Sequence, residues 1–346
     1  VNVPLLDLVA QYRTIKDEVL PALQEVIESQ QFIMGPAIAA LETEVARLSH
    51  AAHGIGCASG TDALLLPLKA LALEPGDEVI TTAFTFFASA GTIHNTGGRP
   101  VFVDIDPATF NIDPAAAAAA IGPRTRAIMP VHLYGQMAAM ERLLPIAAPR
   151  HLPVIEDACQ AIGARRRVDG RWRHAGELGW VGGFSFFPSK NLGAWGDGGM
   201  MVTNDAATAE RLRRLRLHGG AKQYHHEEVG TNSRLDTLQA VVLLRKLPHL
   251  ADWSARRRAH AATYTAAFAD LAAVRTPVVE DANEHIFHQY TLRVERRDEL
   301  AAHLKAQGIG HAVYYPVPLH RQECFAHLGY APGSLPETER ACREVI

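Results

Sequence analysis

The chain has 346 residues, enough for one large or two moderate domains with a sizeable core. Its formal charge of −3 argues against a phosphate-backbone binder, which needs a strongly basic face. No run of about eighteen or more apolar residues offers a membrane span. Cys57, Cys159, Cys324 and Cys342 are scattered without a CxxC pair, which argues against a disulfide framework or zinc site and points to a reducing cytoplasm.

The opening VNVPLLDLVAQYR is too polar for a secretory leader, and a start without Met suggests a trimmed end. LVAQYRTIKDEVLPALQEVI carries apolar residues at helical spacing, with Pro21 expected to interrupt or kink the helix. The loop FIMGP (residues 32–36) precedes a second amphipathic helix, AIAALETEVARLSH. From about Gly54 short apolar strands alternate with helices: HGIGCASG, TDALLLPLKALAL, DEVITT, a helix through Ala90, RPVFVDI, RAIMPVHL, LPVIEDA, GGFSFF and GGMMVTN. Such alternation predicts a mostly parallel sheet covered on both faces. PAAAAAAI reads as a helix started by proline. GARRRVDGRWRHAG (residues 163–176) reads as a charged hairpin around an Asp-Gly turn, more often solvated than ligand-binding. In YHHEEVG adjacent side chains diverge, so no metal chelate is expected.

Near Leu247 the texture changes. A long helix, PHLADWSARRRAHAATYTAAFADL, leads to a smaller α+β segment: HQYTLRV as a strand, DELAAHLKAQGI as a helix, HAVYYPVPLH as an extended stretch. This predicts two units, residues 1–246 and 247–346, without internal repeats.

Three motifs carry chemistry. In ASGTDALLL, Ser59, Gly60 and Thr61 end a strand and open a helix, whose free N–H groups can hold a phosphate; capping is the commoner reason for Ser or Thr there. In PVIEDACQAIGA a strand ends in Glu156-Asp157, where α/β sheets bind ligands; a carboxylate there can hold a protonated ring nitrogen or cap a helix. In FSFFPSKNLGAWGDGG, Lys190 lies among aromatics and glycines, with Ser185 five residues before it. A desolvated lysine has a lowered pKa, and its neutral amine can form a Schiff base with an aldehyde. Together these are the parts that pyridoxal phosphate needs: a phosphate cup, a carboxylate for the pyridine nitrogen and a Schiff-base lysine. TAFTFFAS offers Phe84, Phe86 and Phe87 as ring-stacking candidates.

These stretches, with MGPAIAALE, GDEVITTAFTF, VFVDIDPATFNIDP, AIMPVHLYGQ, GTNSRLDTLQA and YYPVPLH, resemble the sugar aminotransferases of the DegT/DnrJ/EryC1/StrS family along nearly the whole chain. The resemblance implies an aspartate-aminotransferase-like α/β fold (fold type I), with a mostly parallel central sheet covered by helices and a smaller C-terminal α+β domain. It implies Lys190 as the cofactor-bearing lysine and proton shuttle, Asp157 at the pyridine nitrogen and Gln160 near the ring hydroxyl. Gly60, Thr61 and Ser185 are then expected at the phosphate, Phe86 on the ring, and Asn232 reaching the phosphate from a neighbouring subunit of an obligate homodimer. Met34, Arg234, Tyr314, Tyr315 and His320 are expected to meet a nucleotide-linked keto sugar, and glutamate to be the amino donor. No metal is expected. A 3-keto sugar or uronate is the expected acceptor, in amino-sugar supply for surface polysaccharide or a glycosylated product. A few members replace the lysine by histidine and dehydrate their sugars. Lys190 separates this chain from them, and complete site residues argue against a non-catalytic regulatory protein. Members commonly continue past the equivalent of residue 346, so the expectation is either a trimmed chain or an incomplete small domain.

Overall fold

The computed structural model describes residues 2–220, 222 and 224–346. Helix α1 (Leu8–Ser29) and helix α2 (Pro36–Leu48) precede the alternating region. That region runs β1 (His53–Cys57), α3 (Gly60–Ala70), β2 (Glu78–Thr82), α4 (Ala88–Asn95), β3 (Arg99–Val103), α5 (Pro114–Ala119), β4 (Thr125–Met129), α6 (Met140–Ala147), β5 (Ile155–Asp157), β6 (Arg165–Val168), β7 (Arg171–His174), β8 (Val181–Ser185), β9 (Gly199–Thr203) and α7 (Ala206–Leu215). Helices α8 (Thr237–Lys246) and α9 (Leu250–Phe268) follow. The C-terminal part holds β10 (Val274–Arg275), β11 (Asn283–Glu284), β12 (Arg293–Val294), α10 (Arg297–Ala306) and α11 (Pro336–Glu344).

Strands β1-β9-β8-β5 and β3-β2-β4 form two ladders, joined by parallel bridges Ile128–Val154 and Val131–Asp157. The order across the whole is β1-β9-β8-β5-β4-β2-β3, parallel except for β9. Alternate residues of each strand serve opposite layers, as the twofold repeat of a strand requires. Ile80, Ile128, Met200 and Val202 pack with α2, α6 and α8. On the other face Met201 packs with α3 and α7, while Val79, Ala127 and Met129 pack with α3 and α4. Both faces are covered, and the strands are accordingly apolar throughout. The fold is thus mixed α/β on a mostly parallel sheet, as expected.

Two local expectations are corrected. Pro21 lies inside α1, which continues unbroken from Leu8 to Ser29. One missing N–H is tolerated because Ile15, Val19, Ala22 and Val26 seat the helix on Val241 and Val242 of α8. HQYTLRV is not a full strand: Arg293–Val294 pairs with Val274–Arg275, and Arg293 bridges Val345 on its other side. The chain bends just before the stretch, with Phe287 at φ 46°, and the N–H groups of Ile286 ahead of it and Gln289 within it bond the carbonyls of Gly135 and Tyr134 instead of a ladder. The Asp169-Gly170 hairpin forms, both residues at positive φ, and the guanidinium groups of Arg165 and Arg167 lie over the Trp172 ring. Helix α11 is tied to the large sheet: Asp104 accepts the N–H groups of Glu337 and Thr338, and Ala341, Cys342 and Val345 pack with Phe84, Phe110 and Tyr134.

Candidate active site

Parallel strands place their carboxyl ends along one edge of a sheet, and the chemistry-bearing residues collect there. The acidic pair at the end of β5 is divided by strand alternation. Glu156 faces one layer, fully buried. It accepts the N–H groups of Gly176, Leu178 and Gly179 at 2.9, 2.8 and 2.5 Å, with His132 Nε2 at 2.8 Å. His132 Nδ1 accepts the Ala138 N–H at 3.1 Å, so its single proton sits on Nε2 and is donated to Glu156. Glu156 is therefore a structural anchor. Asp157 faces the other way, 5% exposed. Its Oδ2 accepts the Ser89 hydroxyl at 2.7 Å and its Oδ1 the Cys159 N–H at 3.2 Å. A carboxylate has about four lone-pair sites, so Asp157 keeps capacity for a further N–H.

The start of α3 abuts β8. A Cβ on Gly60 would stand 2.4 Å from the Ser185 Cβ, so only glycine allows this approach. Ser59 is the helix cap: its hydroxyl accepts the Asp62 N–H at 3.1 Å. Thr61 is exposed at the helix mouth and Ser185 is buried beneath it.

Lys190 follows β8 in a loop closed at its base by Ala194 N–H to Phe186 O, 2.7 Å, and Phe186 N–H to Gly198 O, 2.8 Å. Burial lowers the Lys190 pKa, and the nearby Cys159 and Asp157 only partly oppose this. A desolvated amine has more of the neutral, nucleophilic form at ordinary pH.

Aromatic groups wall the site. Phe84 is buried against Phe110, Tyr134 and Tyr315, whereas Phe86 is 57% exposed, its ring centroid 6.5 Å from that of Tyr315. Gln160 bridges the wall: Oε1 accepts the Tyr134 N–H at 2.8 Å and Nε2 donates to the Tyr315 hydroxyl at 2.9 Å. The Tyr134 hydroxyl donates to the Tyr314 carbonyl, which brings the YYP segment to the edge of the site.

The remaining expected residues are distributed unevenly. Asn232 is exposed; its neighbour Ser233 donates to Asp62 Oδ2 at 2.8 Å and accepts the Ala58 N–H, beside the start of α3. Arg234 is half-buried with an unpartnered Nε. Met34 is exposed at φ 52°, in a loop pinned to α8 by Thr237 N–H to Phe32 O and Gly35 N–H to the Thr237 hydroxyl. His320 is not gathered with the others. Its ring is buried, with Nε2 3.1 Å from Glu339 Oε1 and Tyr330 alongside. Sequence reasoning missed Ser89, Asn191 and His288. The His288 Nδ1 lies 3.1 Å from Asn191 Oδ1, and Asn191 Nδ2 donates to Ile286 O. Burial first, then the Lys190 charge, pushes the His288 imidazole well below its usual range. Only the position of Ser89, one turn past the TAFTFF aromatics, could have signalled it.

The model of the DegT/DnrJ/EryC1/StrS aminotransferase family matches residues 13–346. The chain belongs to this family. It is 54% identical to the "Pleiotropic regulatory protein" of Geobacillus stearothermophilus, over 100% of this chain and 92% of the relative. It is 47% identical to the "UDP-N-acetyl-3-dehydro-alpha-D-glucosamine 3-aminotranferase" of Acidithiobacillus ferrooxidans, over 94% and 87%. The crystal structure of Streptomyces venezuelae DesV in complex with a ketimine intermediate superposes with TM-score 0.96 at 44% identity, covering 99% of this chain and 92% of that one. This chain is thus an aminotransferase that uses pyridoxal phosphate.

The residues present fit that cofactor. The Gly60–Ser185 contact forms a cradle that a Cβ would fill, Asp157 retains an acceptor, Phe86 leaves a ring face open and Lys190 is desolvated. When bound, the cofactor supplies an electron sink for a carbanion. Asp157 would hold its ring cation, the start of α3 its phosphate, and the Lys190 amine would be able to move a proton there.

Proposed function

We propose that this aminotransferase transfers an amino group from glutamate to the 3-keto group of a nucleotide-linked hexose. The observation that carries the reaction class is the place of Lys190, half-buried in the loop after β8 at the same sheet edge as Asp157, where burial lowers its pKa. Position 3 is supported by relatives. The A. ferrooxidans protein is named for a 3-dehydro sugar, and relatives at 44%, 42% and 40% identity are named for dTDP-3-amino-3,4,6-trideoxyglucose, UDP-2-acetamido-2-deoxy-3-oxoglucuronate and dTDP-3-amino-3,6-dideoxygalactose. A uronate acceptor rests on one of these names only.

In this reading Lys190 is the cofactor-bearing lysine and the proton carrier, and Asp157 keeps the ring nitrogen protonated. Gly60, Thr61 and Ser185 hold the phosphate, Phe86 stacks on the ring and Gln160 stands at its hydroxyl. Asn232 serves the phosphate of a partner subunit in a homodimer; its exposure, and separately the apolar residues exposed on α1, Leu8, Val9, Leu20 and Ile27, support subunit contact. Tyr314, Tyr315, Arg234 and Met34 line the sugar side. Residues 1–246 form the cofactor-binding unit and 247–346 the smaller one. No helix among the described residues is long and apolar enough to cross a membrane, and the enzyme works in the cytoplasm, supplying amino sugars to a surface polysaccharide or glycosylated product.

Incubation with glutamate and chemically prepared UDP- or dTDP-linked 3-keto hexoses, read by mass spectrometry, tests this. A 3-amino sugar formed with equimolar 2-oxoglutarate is expected. A dehydrated sugar would mean dehydratase chemistry. No product from any keto sugar would favour the regulatory role that the G. stearothermophilus name states for that relative.

A further inference from the structure

Lys246 ends α8, far from the cofactor residues in sequence, yet its side chain is 2% exposed. Its Nζ donates to the Gly193 carbonyl at 2.6 Å, and no carboxylate pairs with it among the described residues. Burial pushes its ammonium down to about 8. A buried cation on a single carbonyl is a costly way to fill core volume that a methionine could fill. Something at Gly193 needs it.

Gly193 lies three residues past Lys190, where the loop folds back on itself: a Cβ there would stand 2.2 Å from Pro188 O. Lys190 N–H closes the near side on Phe187 O at 2.8 Å. A second residue of α8 grips the same loop. Gln239 Oε1 accepts the Trp195 N–H at 2.9 Å. Positions 239 and 246 are two helical turns apart and share one face of α8. That face therefore presents an acceptor to Trp195 and a donor to Gly193, a two-point clamp on the outgoing arm of the lysine loop.

We infer that Lys246 is a positioning residue: through the Gly193 carbonyl it fixes the loop so that the Lys190 amine meets the cofactor aldehyde. This rests on Lys190 being the cofactor-bearing lysine. It does not touch the cofactor residues, so its loss affects the covalent link and leaves the phosphate and ring contacts intact.

The test compares two ligands on the apo protein. Pyridoxal phosphate carries the aldehyde; pyridoxamine phosphate has the same ring and phosphate but cannot bond Lys190. In Lys246→Met, affinity for pyridoxal phosphate and its band near about 400–430 nm should fall, the affinity by roughly 10–100-fold, since small misplacements of reacting groups cost that much. Affinity for pyridoxamine phosphate should stay within about threefold, and the thermal midpoint should hold or rise because a buried charge is gone. Equal loss for both ligands, loss for neither, or a lowered midpoint with both weakened overturns the inference. Should Lys246→Met not accumulate folded, Lys246→Gln retains a donor, and the same split at smaller size is required of it. Lys190→Ala is the control. If it keeps the band, the assignment of Lys190 has failed; if it loses the band while Lys246→Met behaves as the parent, only the role of Lys246 has.

Discussion

On one face of β5, Glu156 is fully buried and faces four donors, three backbone N–H groups and a neutral histidine. On the other, among the described residues, Asp157 receives a serine hydroxyl and one backbone N–H. The two carboxylates are neighbours in sequence and identical in charge. Saturation makes the first an anchor for the β7–β8 turn. Spare acceptor capacity makes the second available to a ligand. Function at a strand end depends on which lone pairs the fold leaves unused.

The contrast can be broken most severely at the group that Asp157 works beside. Lys190→Ala should lower transamination by at least about 10³-fold, since it removes both the nucleophile and the proton carrier. Asp157→Asn should lower kcat by about 10²–10³-fold, as losses of a preorganised charge partner do, with the thermal midpoint within a few degrees of the parent. Glu156→Gln should do the reverse. One oxygen becomes an NH₂ facing backbone donors, costing about 2–4 kcal/mol of stability in denaturant titration, while kcat per folded molecule stays near that of the parent. Equal behaviour of the two variants would erase the distinction. Phe86→Ala should weaken cofactor binding about tenfold, the worth of one aromatic stack, whereas the buried Phe84 should respond mainly in stability.

The smallest expected effect lies outside the acidic pair, at a buried histidine. His285 Nδ1 accepts the Phe287 N–H at 2.9 Å, and burial pushes its imidazole down to about 3 from the usual 6.5. The unfolded chain takes up that proton below pH 6.5 and the folded chain does not. Its contribution is thus present above 6.5 and lost as pH falls towards 3. Thermal midpoints between pH 7 and 4 (roughly this window) should fall, and less steeply by a few degrees in His285→Phe.

The alternation of apolar strands and helices, the Asp-Gly hairpin and the position of Lys190 after β8 were all readable in the sequence because they depend on local periodicity and turn chemistry. The strand-end pair was readable as a pair, but which acid faces the ligand needed the pleat and its neighbours. Pro21 misled because long-range packing on α8 keeps α1 continuous through it. HQYTLRV misled because the chain turns at Phe287 just before it and the Gln289 N–H bonds the Tyr134 carbonyl instead of a ladder. His320 sits in a YYPVPLH context that suggests a ligand; its neighbour Glu339, 3.1 Å from Nε2, is a contact that the local pattern does not announce. His288, Asn191, Ser89 and Lys246 meet partners 53 to 97 residues away, which no local pattern announces.

The most direct measurement is the absorption spectrum of the cofactor-loaded protein before and after glutamate, beside Lys190→Ala. A band near about 400–430 nm in the parent that fades with glutamate, and is missing from the variant, is expected. An equal band in the variant, or a parent band untouched by any amino donor, would contradict Lys190 as the residue that carries the chemistry.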